Sequence, residues 1–212
     1  IGSALARPRS IEFYQRTLAE LDQLTDELNT LVEDLLTLAR ASNHAPRRDT
    51  VDLVELCNRV YQRMQAMAAT RGIALEGPRP DQAPVIVEGD PLKLQRVVTN
   101  LMDNALRYTP AGNVALRVSE RNGRACIEVQ DTGAGIERRH LPHIFERFYR
   151  ADSDRGRETG GTGLGLSIVK AIIEAHGGEI MVESEMDVGS HFRFWIPVQT
   201  ANAPAPDRKS VV

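Results

Sequence analysis

The chain has 212 residues, 42% hydrophobic and 26% charged, with a net charge of −3. That length admits one large domain or a smaller one with an appendage, and the mixed charge leaves no basic footprint for nucleic acid. No run reaches the roughly 18 apolar residues of a membrane span, and no secretory signal opens the chain, so no membrane contact is expected from this stretch.

Ser10 is placed to cap a helix that runs from Ile11 to about Ala41. Leu21, Leu24, Leu28, Leu31, Leu35 and Leu38 recur along it at steps of three and four. This is a narrow seam suited to a helical partner, while Glu20, Asp22, Glu27, Glu33 and Asp34 keep the other faces wet. The seam predicts a homodimer in preference to a helix packed on its own domain, with residues 1–41 forming part of a helical hairpin. Residues 42–50, broken by Pro46, read as a linker ending in a short strand near Thr50 to Leu53.

Residues 51–197 read as a second domain. The pattern predicts a helix over Leu53–Arg71, strands over Ile73–Glu76 and Val85–Glu88, and a helix over Pro91–Tyr108. Strands follow over Asn113–Glu120 and Arg124–Gln130, joined by an Asn122-Gly123 hairpin signal. After an irregular stretch to Thr162 come a helix over Gly163–His176 and strands over Glu179–Ser184 and His191–Ile196. Strands with helices on one side imply an α+β, two-layer sandwich. Residues 198–212, rich in Pro and Ala, read as a disordered tail. Cys57 and Cys126 lie in a helical and a strand pattern and read as buried small apolar residues.

Four motifs carry the chemistry. On the Pro91–Tyr108 helix, Asn100, Asn104 and Arg107 share one face. The apolar stripe of Leu94, Val98, Leu101, Met102 and Ala105 is centred about 140° away. Carboxamide oxygens suit a hard cation such as Mg²⁺, and the guanidinium complements phosphate. Asp131-Thr-Gly133-Ala-Gly135-Ile136 follows a strand, and its glycines let the backbone turn and approach a ligand. Phe145, Phe148, Tyr149 and Arg150 stand at the base of a polar stretch, Ala151–Thr159, that reads as a lid. Arg150, Arg155 and Arg157 suit phosphate or solvent equally. Thr162-Gly163-Leu164-Gly165-Leu166 opens a helix, and glycines at a helix N-terminus form a phosphate site. Taken singly, these are two solvated asparagines, a strand-ending turn, a surface loop and a linker. Taken together and in order, they describe a nucleotide pocket without a Walker loop.

As a set, the four motifs resemble the N, G1, F and G2 boxes of the sensor histidine kinases of two-component systems. The resemblance implies the Bergerat ATP-binding fold, shared with DNA gyrase B, MutL and the heat-shock chaperone ATPases, and ATP and Mg²⁺ as ligands. It assigns Asn104 to Mg²⁺, Asn100 and Arg107 to the phosphates, and Asp131 to the adenine amino group. Tyr108 and Ile136 would line the base pocket, and Gly163 and Gly165 would give the lid-to-helix phosphate contacts. Leu31 to Arg40 is similar to the second helix of the dimerisation and phosphotransfer hairpin. A response-regulator receiver domain is the implied partner, and a cytoplasmic location in a bacterial, inner-membrane-anchored sensor the implied setting.

One departure bears on activity. The family's phosphoacceptor is a histidine followed by Glu or Asp on the first helix of that hairpin. Here His44, His140, His143, His176 and His191 all lack an acidic neighbour. Since the chain starts at Ile1, the acceptor is expected upstream, and this polypeptide is expected to bind ATP without phosphorylating itself. The rival readings are a serine kinase of the anti-sigma-factor type, which lacks the leucine-seamed helix, and a non-catalytic docking module, against which the intact Asn104, Asp131 and glycines argue. His140 and His143, three residues apart, have a spacing open to a metal pair, but no third ligand accompanies them.

Overall fold

The computed structural model describes residues 10–19, 21, 22, 25, 28, 32, 36, 48–79, 81–151 and 162–198. Residues 11–19 are helical, and so are the six described positions between 21 and 36. Ser10 caps this helix as expected, its hydroxyl accepting from the Phe13 N–H at 3.3 Å. Of the seam leucines among the described residues, Leu28 is 63% exposed and Leu21 half-buried. Leu24, Leu31, Leu35 and Leu38 lie outside the described residues, as do His44, Arg155, Arg157 and the tail from 199 onward.

The second region is built from β1 (Asp49–Asp52), α1 (Leu53–Thr70), β2 (Ile73–Glu76), β3 (Ile86–Gly89), α2 (Pro91–Tyr108), β4 (Gly112–Arg121), β5 (Arg124–Asp131), α3 (Gly165–Ala175), β6 (Glu179–Glu185) and β7 (Gly189–Pro197). Five strands form one sheet in the order β2-β4-β5-β7-β6. β2 runs parallel to β4, and every other neighbouring pair is antiparallel. The Asn-Gly hairpin forms as its sequence demands, with φ of +53° at Asn122 and +71° at Gly123. The first short strand and the third do not join this sheet. They pair with each other as an antiparallel ribbon, Asp49 opposite Gly89 and Asp52 opposite Ile86. Four-residue strands carry too little alternation to reveal their partner, so sequence could place them but not pair them.

The helices cover one face of the sheet. Along β5, Ala125, Ile127, Val129 and Asp131 are buried and share one side by strand periodicity. Ala125, Ile127 and Val129 meet Leu94, Val98, Leu101, Met102 and Ala105 of α2 and Ile168, Val169, Ile172 and Ile173 of α3 in one continuous core. Asp52 and Asp90 start α1 and α2 by accepting from their first-turn amides, and Pro91 sits at the first position of α2, where its missing N–H costs nothing. Both cysteines are free and buried. No helix among the described residues is long and apolar enough to cross a membrane.

Candidate nucleotide-binding site

β5 ends at Asp131, which is 6% exposed. Its Oδ1 accepts from the Gly133 N–H at 2.9 Å and the Ser190 N–H at 3.3 Å. Its other oxygen has no donor among the described residues. Burial pushes this carboxyl above its ordinary pKa, against the downward pull of the two amides. A buried carboxylate with one oxygen held by backbone and one left open is a fixed acceptor awaiting a donor.

The loop after Asp131 fits too closely for side chains. A Cβ on Gly133 would stand 2.3 Å from the Tyr108 carbonyl oxygen, and one on Gly135 would stand 2.0 Å from that of Glu185. Gly135 also has φ of +71°, a conformation glycine adopts freely. The Ala134 N–H donates to the Tyr108 carbonyl at 3.1 Å, and the Ile136 N–H to the Ser184 hydroxyl at 2.8 Å. These bonds bring together the end of α2, the Gly133 loop and the β6–β7 turn. Tyr108 is 55% exposed and Ile136 partly buried beside them.

On α2 the amphipathic expectation holds. Leu94, Val97, Val98, Leu101, Met102, Ala105 and Leu106 are buried, whereas Asn100 and Asn104 are half-buried and Arg107 is exposed. The Asn100 amide donates to the Gly165 carbonyl at 3.3 Å, tying α2 to the first turn of α3. The carboxamide of Asn104, one turn further on, makes no hydrogen bond to another described residue.

Leu164 and Gly165 begin α3 without a side-chain cap, so first-turn amides stay available. Thr162 Oγ1 accepts from the Leu164 N–H at 3.3 Å, and Leu164 is fully buried with Leu166 partly buried after it. Gly163 has φ of +70°, and a Cβ there would meet the Phe148 carbonyl carbon at 2.8 Å. The Phe148 N–H donates to the Gly163 carbonyl at 3.0 Å. The two ends of the stretch read as a lid are thus bonded to each other. Phe148 itself has φ of +62°, rare outside glycine, and is 58% exposed. Phe145 and Tyr149 pack on the core edge as anchors, Lys170 standing 6.0 Å from the Phe145 ring centroid. Arg150 follows, exposed. The two histidines raised as a metal pair have other partners: His140 Nδ1 lies 2.7 Å from the Tyr149 hydroxyl, and His143 Nδ1 2.7 Å from Glu146.

All four motifs therefore converge on one region between α2, α3 and the ends of β5 and β7. Sequence reasoning missed Ser184, Ser190 and Gly189, which close its floor. Ser184 Oγ donates to the Gly189 carbonyl at 2.9 Å, and a Cβ on Gly189 would stand 2.0 Å from the Asp131 carbonyl oxygen. The Gly189-Ser190 dipeptide opening a strand was the available signal, and only the pairing of Asp131 with Ser190 gives it meaning.

A family profile described as histidine kinase-, DNA gyrase B- and HSP90-like ATPase matches residues 89–200. The chain belongs to this family. The sequence of this histidine-kinase-type ATPase domain carries no Walker loop, and Gly133 packs against the end of α2. The sensor histidine kinase YkoH of Bacillus subtilis is 37% identical over 181 residues, covering 84% of this chain and 38% of that protein. The sensor histidine kinase CusS of Escherichia coli K12 is 36% identical over 200 residues, covering 92% and 40% respectively. The chain thus spans about two fifths of these relatives. Among solved structures, full-length ShkA in complex with AMPPNP superimposes with a TM-score of 0.77 at 31% identity, over 94% of this chain and 42% of that one. The mycobacterial sensor histidine kinase MprB gives 0.61 at 30% identity, over 71% of this chain and 97% of its own.

Proposed function

We propose that this ATPase domain serves a sensor histidine kinase, holding Mg-ATP so that its γ-phosphoryl group passes to a histidine and then to an aspartate of a response-regulator receiver domain. The observation that carries this reading is Asp131: a carboxylate fixed by two backbone amides, with its free oxygen at the mouth of a glycine-lined turn. Such an acceptor selects a base with an exocyclic amino group, as adenine has and guanine does not at the same position.

In this reading Tyr108, Ile136, Gly133 and Gly135 flank the base. Asn100, Arg107, Thr162 and the amides of Gly163, Gly165 and Leu166 address the phosphates, with Leu164 buried behind them and its N–H held by Thr162. Phe145, Phe148, Tyr149 and Arg150 carry the lid. Asn104 fits a Mg²⁺ ligand, being a neutral oxygen donor, half-buried, beside Asn100 and without another described partner. When bound, the ion neutralises phosphate charge and orients the triphosphate. The chain's own contribution is positioning: the helix amides hold the leaving β-phosphate in place while an incoming imidazole nitrogen bonds to the γ-phosphorus and the bond to the β-γ bridging oxygen breaks. The leucine seam read from the sequence of residues 11–41 would hold two copies together, in the manner of a dimerisation hairpin.

Titration of the chain with ATP in Mg²⁺, ATP in EDTA, and GTP tests the reading. ATP should bind more tightly with Mg²⁺ than without, and GTP should bind far more weakly than ATP. Equal affinity for ATP and GTP would refute the role of Asp131, and an affinity indifferent to Mg²⁺ would favour a docking module that lacks catalysis.

A further inference from the structure

α2 and α3, the two helices that the proposed site uses for phosphate, run antiparallel and are tied at both ends of α3. One tie is the Asn100 amide on the Gly165 carbonyl. The other is His176, the residue that ends α3. Its Nε2 lies 3.0 Å from the backbone N of Asp90, and its Nδ1 lies 2.7 Å from the carbonyl oxygen of Ile172. A backbone N–H can only donate and a carbonyl only accept. The two contacts therefore fix the ring without ambiguity as neutral, with its proton on Nδ1.

The seat for this ring is built. A Cβ on Gly89, the last residue of β3, would stand 2.7 Å from His176 Cδ2 and 2.8 Å from Leu94 Cδ1, so glycine leaves room for the imidazole and the core leucine together. Asp90, whose N–H the ring receives, is also the N-cap of α2, its Oδ1 accepting from the Leu92 and Lys93 amides. At 1.5 Å per residue the stretches from Asp90 to Asn100 and from Gly165 to His176 are about 15 and about 16.5 Å long. The two ties thus bracket matched lengths of helix.

We infer that His176 is a positioning residue for the triphosphate end of the site: by bonding the Asp90 amide it holds α2 against α3, and so sets Asn100 and Asn104 against the first-turn amides of α3. It touches no nucleotide, and the inference rests on the site proposed above. Losing the tie lets the helices shift at the end remote from phosphate, and sub-ångström errors at a reacting group are costly even when their origin is distant. The base is held by Asp131 and the Gly133 loop, which His176 does not contact, so adenine recognition should be spared.

Three variants of the full chain separate this role from a general one. His176→Leu removes the acceptor, Gly89→Ala crowds the ring and Leu94 while leaving the ring present, and His176→Gln returns an acceptor. Titrated by NMR with Mg-ATP and with adenosine, the first two should lose about tenfold in Mg-ATP affinity, because the phosphate-binding groups are held out of position. Their adenosine affinity should change by less than about twofold, and His176→Gln should restore the ATP value. Equal losses for both ligands, or none, would overturn the inference. Nitrogen chemical shifts of the unmutated His176 ring decide the tie independently of any variant's folding: a protonated Nδ1 and a bare Nε2 are expected, and a proton on Nε2 at neutral pH would overturn it. If the unmutated chain fails to bind Mg-ATP at all, the site reading falls, and with it the positioning role, while the ring shifts still report whether the tie exists.

Discussion

Asp131→Asn separates what the fold needs from what the site needs. The side chain is 6% exposed, and both of its backbone bonds end on Oδ1. An asparagine can keep both bonds through its own Oδ1, so the turn survives. What changes is the second oxygen, which becomes an NH₂ that cannot accept from an adenine amino group. A hydrogen bond to a charged partner contributes about 1.5–3 kcal/mol, so ATP affinity should fall between about tenfold and about 150-fold. Stability should move the other way. Because burial raises the Asp131 pKa, the folded chain holds more of this proton than the unfolded chain above the ordinary value of 3.8. Ionisation then costs stability as pH rises through the folded pKa. Asparagine removes that cost, so the variant's thermal midpoint at neutral pH should equal or exceed that of the unmutated chain. Calorimetric titration and thermal unfolding on one preparation read both effects. A variant that is clearly destabilised and weak in binding would show that Asp131 is a fold residue and that the reasoning is wrong.

Other perturbations test neighbouring parts. Gly163→Ala should weaken ATP binding by about tenfold with the core intact, because a left-handed φ costs a side chain about 1–2 kcal/mol and the new Cβ strikes Phe148; unchanged affinity would show that the Phe148–Gly163 closure is irrelevant to the nucleotide. Asn104→Ala should reduce Mg²⁺-dependent affinity while leaving binding in EDTA unaltered, and equal losses in both titrations would remove it from the metal. Burial holds the His176 pKa below its ordinary 6.5, so between the two values the unfolded chain binds more protons and stability rises with pH. Acid unfolding should therefore begin as pH falls below about 6.5, and His176→Gln should flatten that part of the stability profile. Leu28→Asp together with Leu35→Asp should give a monomer in sedimentation, and a persistent dimer would place the interface elsewhere.

The strongly periodic elements were legible in the sequence. The face of α2 that buries Leu94, Val98, Leu101, Met102 and Ala105 followed from spacing alone, as did the β4–β5 hairpin from Asn122-Gly123. The motif glycines were legible as sites of close approach, and Gly133, Gly135 and Gly163 each face a backbone atom where a side chain would need to be. What escaped was long-range pairing. Ser190 acquires its part only because β7 lies beside β5 in one register, and the β1–β3 ribbon joins segments 34 residues apart at its closest pair, Asp52 and Ile86. His176 looked like an unremarkable helix end because its partner, the Asp90 amide, lies 86 residues away. Phe148 gave no local sign of its positive φ, which the contact with Gly163 imposes.

The most direct test of the site is a crystal structure of this chain with AMPPNP and Mg²⁺. The adenine amino group should lie within hydrogen-bond distance of the free Asp131 oxygen, with the phosphates between Asn104 and the amides at the start of α3. Nucleotide bound elsewhere, or a cleft closed by the protein's own side chains, would contradict it.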